Sequence, residues 1–368
     1  MPSPTIWERM ARFFSERVPL DKISYDVLVR QKTVPIHRRS WGYYTGGLVL
    51  LFLLVQVVTG ILLLFYYEPT VSEANASVAY LTRYVPNGEF LRNTHAWSAS
   101  FMIGFLLVHL LTTFSMKSFD RPRELTWLAG VLLLFLTFAF GFTGYLLPWN
   151  QIAVNATKVV MQSLVQVGTY LPHSLAGLPE EIRVAFQGEQ SIGQATLSRF
   201  FAIHVVLLPV IIAIVLGFHL LSVQLLGMSQ GVDVPATRHE PFFPSYILKD
   251  LSLWTVLAFV LVFLALTIPF AAFLPYPLTE PFYALGPTPE GIKPEWYFYF
   301  IYYPLELLPF WVVMIGMIII SLGLFFVPWV FHRASRRVLT NLAVAAALYL
   351  IIITVFGHEI YRLVKGVS

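Results

Sequence analysis

The chain contains no cysteine among its 368 residues. That absence excludes disulfides, thiolate zinc sites, iron–sulfur clusters ligated by the chain itself and thioether-linked haem. Any such centre has to sit on a partner. Charge is also scarce: Asp, Glu, Lys and Arg make up 12% of the residues, against ~25% in a soluble domain. Hydrophobic residues reach 57% and the mean hydropathy is +0.71. So few charges cannot solvate a folded surface of this size, and lipid must be the solvent for much of it. The net charge of +4 makes no case for nucleic acid, because the basic residues follow a membrane topology.

What is abundant is long apolar sequence. Seven stretches, roughly 43–66, 96–116, 127–148, 200–226, 251–273, 309–331 and 338–357, contain no Asp, Glu, Lys or Arg. Each is close to the ~20 residues that cross hydrocarbon as a helix, and a charge at mid-span costs roughly 2.5–3.5 kcal/mol. Buried helices of a large soluble core would need a charged outer layer that is missing here. The reading is an all-α integral membrane protein with seven transmembrane helices. No cleavable leader is visible, since the first apolar run begins near Tyr43. Before it, Ile6, Met10, Phe13, Phe14 and Val18 fall near helical spacing beside Arg9, Arg12 and Arg17, which predicts an interfacial amphipathic helix. Sixteen of the 24 basic residues fall on the side of the N-terminus and of the loops after the second, fourth and sixth spans. That excess puts the N-terminus in the cytoplasm (the n-side) and the C-terminus on the opposite p-side.

Two spans carry histidine. His95 and His109 are 14 residues apart in the second, and His204 and His219 are 15 apart in the fourth. At 100° and 1.5 Å per residue the first pair is offset by about −40° over about 21 Å, and the second by about +60° over about 22 Å. Each pair therefore shares a helix face. The two spans run in the same direction, so His95 matches His204 in depth and His109 matches His219. Intramembrane histidines face the protein interior and mark function. Zinc wants a third or fourth ligand, which neither layer offers. Two opposed imidazoles per layer suit two non-covalent b-type haems. Glycines agree: Gly46 and Gly60 in the first span, and Gly130 and Gly144 in the third, repeat at 14 residues. Lacking Cβ, they let a backbone approach a porphyrin, although small residues also serve plain helix packing. Arg92 and Arg199, at the span starts before His95 and His204, suit the propionates of the p-side haem. His37, His173, His239, His332 and His358 have no partner of matched depth.

Several segments together resemble one family. They are Arg92-Asn-Thr-His95 continuing to His109, Gly144-Tyr-Leu-Leu-Pro-Trp149, Arg199-Phe-Phe-Ala-Ile-His204 and Pro294-Glu-Trp-Tyr297. The resemblance, over about 40–357, is to cytochrome b of the bc and b6f complexes. Pro122-Arg-Glu-Leu-Thr-Trp127 and the 15-residue histidine spacing resemble the b6 type, with a b6-like part fused to a subunit IV-like part. It implies an amphipathic segment over 1–42, a four-helix dihaem domain over 43–230 and a three-helix domain over 231–368. It also implies quinol oxidation on the p-side and passage of one electron through two b haems to a quinone on the n-side, with proton translocation. The implied ligands are His95 and His204 for the p-side haem and His109 and His219 for the n-side haem. Gln56 joins the residues about the haems. Glu295 becomes the quinol proton acceptor beside Tyr145, Pro294 and Tyr297, and Tyr302 faces a Rieske iron–sulfur partner. Lys249 and Asp250 resemble part of the n-side quinone site. The implied setting is a bacterial-type cytoplasmic membrane, with a c-type cytochrome or equivalent acceptor and a homodimer of the complex.

Glu295 also stands out without the resemblance, as the sole carboxylate between Gly291 and Tyr303. Burial there would raise its pKa and suit it to accept a proton, although a solvated loop acid is the plain alternative. The chain departs from the family pattern at three places. Tyr44 stands where b6 links a further haem through cysteine. Thr112 replaces the usual arginine three residues after His109, which leaves Arg38 or Arg39 to serve the n-side propionates. Glu306 replaces an arginine. Two rival functions remain: a proton or solute transporter using the histidines as relays, and a haem b membrane anchor of another oxidoreductase. The matched histidine layers and glycine repeat weigh against the first, and the Pro294–Tyr297 motif against the second.

Overall fold

A computed structural model describes residues 5–23, 32–230, 238–273, 278–286 and 292–366. Helix α1 (Ile6–Arg17) opens with a capping box, in which Thr5 accepts from the Glu8 backbone and Glu8 accepts from that of Thr5. A short antiparallel pair follows, β1 (Thr33–Ile36) on β2 (Arg238–Pro241), with Val34 opposite Glu240. It ties the N-terminal segment to the connection between the fourth and fifth spans. The helices, in order, are α2 (Tyr44–Leu64), α3 (Ala74–Tyr84), α4 (Gly88–Ser115), α5 (Glu124–Leu146), α6 (Gln151–Val167) and α7 (Leu178–Gln187). Then come α8 (Gln194–Ala202), α9 (Leu208–Leu226), α10 (Ile247–Thr267), α11 (Tyr299–Leu307), α12 (Phe310–Val330) and α13 (Arg336–Lys365).

Among the described residues, seven helical segments are long and apolar enough to cross a membrane. They match the seven runs read from the sequence, with shifts at the ends. The fifth covers Phe242–Thr267 rather than 251–273. Pro269 disfavours helical dihedrals one residue before itself, and Ile268 is extended (φ −128°, ψ 98°). The second begins at Gly88 rather than near 96, because polar Glu89 and Arg92 form a first turn that helical geometry tolerates at a membrane border. The domain boundary expected at 230–231 falls at the edge of residues 231–237, outside the described residues.

Packing sorts the helices into pairs. α2 lies along α4, and α5 along α9; α10 and α13 pack on α4, and α12 on α5. Four apolar clusters fill the joints. One, about Leu133, Leu136, Leu208 and Ile212, joins α5 to α9, and another, about Phe52, Met102 and Leu261, joins α2, α4 and α10. The outer faces keep large exposed apolar side chains such as Phe259, Phe263, Ile319 and Val355, which is normal where the solvent is hydrocarbon. Residues between α5 and α8 carry the helices α6 and α7; the start of α6 meets the α10–α11 connection, where Gln151 accepts from the Tyr283 N–H, and Asn75 of α3 joins them by donating to the carbonyls of Pro148 and Leu278.

Candidate functional site

The four span histidines sit on α4 and on the α8–α9 segment, and each ring lies against a glycine of the neighbouring helix. A Cβ added at Gly60 would stand 3.5 Å from His95 Cε1, at Gly46 3.0 Å from that of His109, at Gly144 2.7 Å from that of His204, and at Gly130 3.2 Å from that of His219. The repeated glycines therefore make room for the imidazoles themselves. His95 lies within electrostatic reach of His204, and His109 of His219, so each depth-matched pair comes close in space.

Helix α9 reaches this geometry through a local irregularity. Residues Ile203–Leu207 form a π turn, closed by the Leu208 N–H donating to the Ile203 carbonyl. Pro209 follows in the first turn of α9, has no N–H to give and would crowd the carbonyl four residues back. A π turn uses one residue more than an α turn for the same advance. Fifteen residues that include it therefore act as fourteen, and the His204–His219 offset matches that of His95–His109.

Hydrogen bonds fix which ring nitrogen is available. Thr59 Oγ1 is 2.8 Å from His95 Nδ1, Thr45 Oγ1 is 2.9 Å from His109 Nδ1, and Thr143 Oγ1 is 3.1 Å from His204 Nδ1. Each hydroxyl donates its own proton backwards along its helix, to Val55, Gly42 and Ala139 carbonyls respectively. It can then only accept from the ring. His219 Nδ1 donates to the Thr126 carbonyl at 2.9 Å. All four rings are thereby held with hydrogen on Nδ1 and a lone pair on Nε2, and among the described residues no donor reaches Nε2. This is the second-neighbour arrangement of metal-ligating histidine. Among the described residues no cluster of three or more His, Cys, Asp or Glu exists, so a tetrahedral ion lacks its ligands. Sequence reasoning missed the threonines. The signal was present: three of the four repeated glycine positions follow a Thr or sit one turn from one, as Thr45-Gly46, Thr59-Gly60 and Thr143-Gly144.

The residues flanking these layers divide. Gln56 donates to the His95 carbonyl and Ser98 Oγ and so braces α4 at the first ligand. Arg92 keeps a buried Nε with no hydrogen-bond partner among the described residues, which fits a carboxylate supplied by a bound group. Arg199 instead turns to α7, donating to the carbonyls of Val184 (3.0 Å) and Ala185 at its C-terminal end. Thr112 donates to the His109 carbonyl. Arg39 donates to Thr340 of α13, and Arg123 donates to Leu226 and Gly227, while Arg336 lies within electrostatic reach of His37 and Tyr43 at the same end.

At the opposite end, the segment 292–298 inserts between α4 and α5. Trp296 Nε1 donates to Ser100 Oγ at 3.4 Å, and the buried Tyr297 ring lies on Gly141, where an added Cβ would meet its Cε2 at 2.9 Å. A side chain at 141 would expel the ring. Tyr145 donates to the Lys293 carbonyl at 3.5 Å. Glu295, the N-cap of the 3₁₀ turn Trp296–Phe298, makes no ion pair among the described residues, and burial pushes its carboxyl up to about 7. Tyr145, Tyr297 and Tyr299 all lie within electrostatic reach of it. Tyr302 stacks edge-on with Tyr303 at 5.1 Å, and Glu306 is near it. Glu295, Pro294, Tyr145 and Tyr297 thus come together, and Tyr302 lies one helical turn beyond on α11.

The pair Lys249 and Asp250 separates. Lys249 is exposed and paired with Glu240 of β2. Asp250 turns inward onto Gly47, where an added Cβ would lie 2.6 Å from Oδ2, and its buried Oδ1 has no hydrogen-bond partner among the described residues. Beside it the rings of Tyr44 and Tyr246 stack at 4.9 Å and 9°.

Comparison with known proteins matches residues 29–227 to the family described as Cytochrome b/b6/petB, and residues 286–361 to Cytochrome b(C-terminal)/b6/petD. The chain is 42% identical over 296 residues to a "Cytochrome bc complex cytochrome b subunit" of Chlorobaculum thiosulfatiphilum, covering 79% of this chain and 65% of that protein. It therefore spans about two thirds of that relative's length. It is 38% identical over 221 residues to "Cytochrome b6" of Synechocystis sp. (strain ATCC 27184 / PCC 6803 / Kazusa), covering 60% of this chain and 95% of that one. The fold matches a solved chain described as "Hyperthermophilic respiratory Complex III", with a TM-score of 0.75, 24% identity and coverage of 97% and 98% of the two chains.

Proposed function

The chain belongs to the cytochrome b/b6 family, and from that premise we propose that it is the quinol-oxidising, quinone-reducing subunit of a bc-type complex. The observation that carries the reading is the two layers of histidine pairs, each ring held with Nδ1 donating and Nε2 bare. His95 and His204 would hold one b haem, and His109 and His219 the other. When bound, the two groups would supply one-electron carriers at two depths of the membrane. The chain's own part is to fix the ligand tautomers, to exclude water from both layers and to give Arg92 as cation for a propionate. Arg39 and Arg336 are the cations offered at the other layer, where Thr112 cannot serve.

At the end bearing residues 292–303, Glu295 is the proton acceptor. Quinol oxidation must shed two protons, and a carboxyl near neutrality exchanges one readily. Trp296 and Tyr297 hold the segment between α4 and α5 and so fix where that carboxyl lies. Tyr297, its hydroxyl pushed well above its usual range by burial, stays a neutral donor there. One electron leaves to a Rieske iron–sulfur partner near Tyr302 and thence to a c-type cytochrome or equivalent acceptor. Asp250, beside Tyr44 and Tyr246, is the polar group offered to quinone at the opposite end. By the basic excess α1 would lie in the cytoplasm and the end of α13 on the p-side, and the assembly would be a homodimer. A transporter would use the histidines as proton relays. A reduced-minus-oxidised spectrum of the purified protein separates the readings: two overlapping b-type bands are expected, and a chain without haem overturns this one.

A further inference from the structure

The segment 292–298, inserted between α4 and α5, is held from a third side by the last helix. Lys293 Nζ lies 3.1 Å from His358 Nδ1. An ammonium can only donate, so that ring nitrogen is bare. The carbonyl of the same Lys293 accepts from Tyr145. Residue 293 is thus clamped from α13 and α5 at once, two residues before Glu295. Helix α13 also backs the residues that follow. Tyr349 donates to the Phe300 carbonyl at 2.7 Å, and Gly357 lies under the Tyr303 ring, where an added Cβ would collide with it. His358 comes next in the chain and opens the polar end of α13, with Glu359, Arg362 and Lys365 beyond it. Its ring is exposed, so it titrates with the water outside the hydrocarbon.

We propose that His358 is a positioning residue for quinol oxidation: with Nδ1 bare it holds Lys293, and through it Glu295, and on protonation it lets both go. A second positive charge beside the ammonium turns the hydrogen bond into a repulsion. Histidine changes charge between about pH 5 and 8, so release follows acidification of the water at the end where the reaction sheds its protons. The other titratable groups here, among the described residues, are Glu359, Tyr361 and Arg362 of α13 and Tyr302, Tyr303 and Glu306 of α11. Glu359 lies within electrostatic reach of Lys293, but it pairs with Arg362 at 3.6 Å, which returns positive charge to the same turn. Glu306 lies instead with Tyr302, and phenols are neutral in that range. Glu290 falls outside the described residues. The effect on rate rests on the quinol-oxidising function proposed for the chain; the hold on Lys293 does not.

The test uses the whole protein in its complex. Amide hydrogen exchange of residues 295–300, taken as protection relative to intrinsic exchange at each pH, is followed across about pH 5 to 8 beside the rate of haem reduction by quinol. Protection in the parent should fall at least about fivefold on acidification, the order of one hydrogen bond at an exposed site. His358→Leu and Lys293→Met should show the low value at every pH, and the double variant should fall no further. His358→Asn, whose Oδ1 can accept where Nδ1 did and never becomes charged, should keep the high value throughout. The rate should follow: His358→Leu about fivefold below the parent at the alkaline end and equal to it at the acid end, with His358→Asn ahead of the parent at the acid end. A deficit in His358→Leu that is the same at every pH assigns the residue to plain packing and overturns the proposal. Parent protection that ignores pH overturns it too, as does protection that changes while the rate ratios do not. A parent that oxidises no quinol refutes the function, whereas the exchange series, which needs no quinol, supports or refutes the hold on Lys293 by itself.

Discussion

Replacing Glu295 by glutamine separates rate from stability in a way few other changes can. Burial lifts this carboxyl from its usual 4.5 to about 7, a differential of roughly 3 kcal/mol between its protonated and ionised forms. The sign follows: a raised acid favours the fold below the unfolded pKa, and that contribution is lost as pH rises through about 7. Glutamine keeps the shape, never ionises, and so should leave the protein at least as stable as the parent above neutrality. Catalysis goes the other way. If the ionised carboxylate takes the quinol proton, about one-tenth of the sites are competent one unit below the pKa. The parent rate should therefore climb roughly tenfold per unit up to about pH 7 and then level. In Glu295→Gln the limb should vanish and the plateau fall by at least about tenfold, near the cautious end of general-base effects. The assay is reduction of the p-side haem by quinol with the n-side quinone site inhibited and the Rieske partner present, with haem content measured on the same sample. An unchanged plateau at full haem content would leave Glu295 a loop acid and remove it from the mechanism.

His219→Ala should abolish one of two haems and retain much of the other, since the layers share no ligand; pyridine haemochrome showing one haem per chain in the parent would refute the two-layer reading. Thr143→Val removes the acceptor of His204 Nδ1–H, which weakens ring donation and favours reduced iron. The potential of the p-side haem should rise by about 40 mV, for roughly 1 kcal/mol of lost hydrogen bond, with the n-side potential unmoved in a redox titration. Arg17→Met strands the buried Glu124 carboxylate and should cost about 3–5 kcal/mol, seen as a lower melting temperature in detergent. Adding Glu124→Gln should restore most of it, and failure to do so would mean that the pair is not what holds α1.

Whatever is periodic within one helix could be read from the residues alone. Span length and the absence of charge follow from the thickness and polarity of hydrocarbon, so seven spans were readable to within several residues. The 14-residue recurrences at His95 and His109, Gly46 and Gly60, and Gly130 and Gly144 are rotations about a single axis, which spacing alone reports. Segments such as 294–297 were readable because their chemistry is concentrated in consecutive residues. Tertiary structure decided the partners. Spacing alone did not reveal that α2 lies along α4 and α5 along α9, or that Thr45, Thr59 and Thr143 would meet ring nitrogens 64, 36 and 61 residues away. The π turn before Pro209, which makes fifteen residues act as fourteen, depends on the packing that stabilises it. Arg199, positioned in sequence like Arg92, goes to the carbonyls of α7, and Lys249 and Asp250, adjacent in sequence, go to opposite surroundings. Helical periodicity fixes direction about one axis. Which groups occupy the space in that direction is set by how separate axes pack, and the chain carries that information only as the sum of many weak, distant contacts.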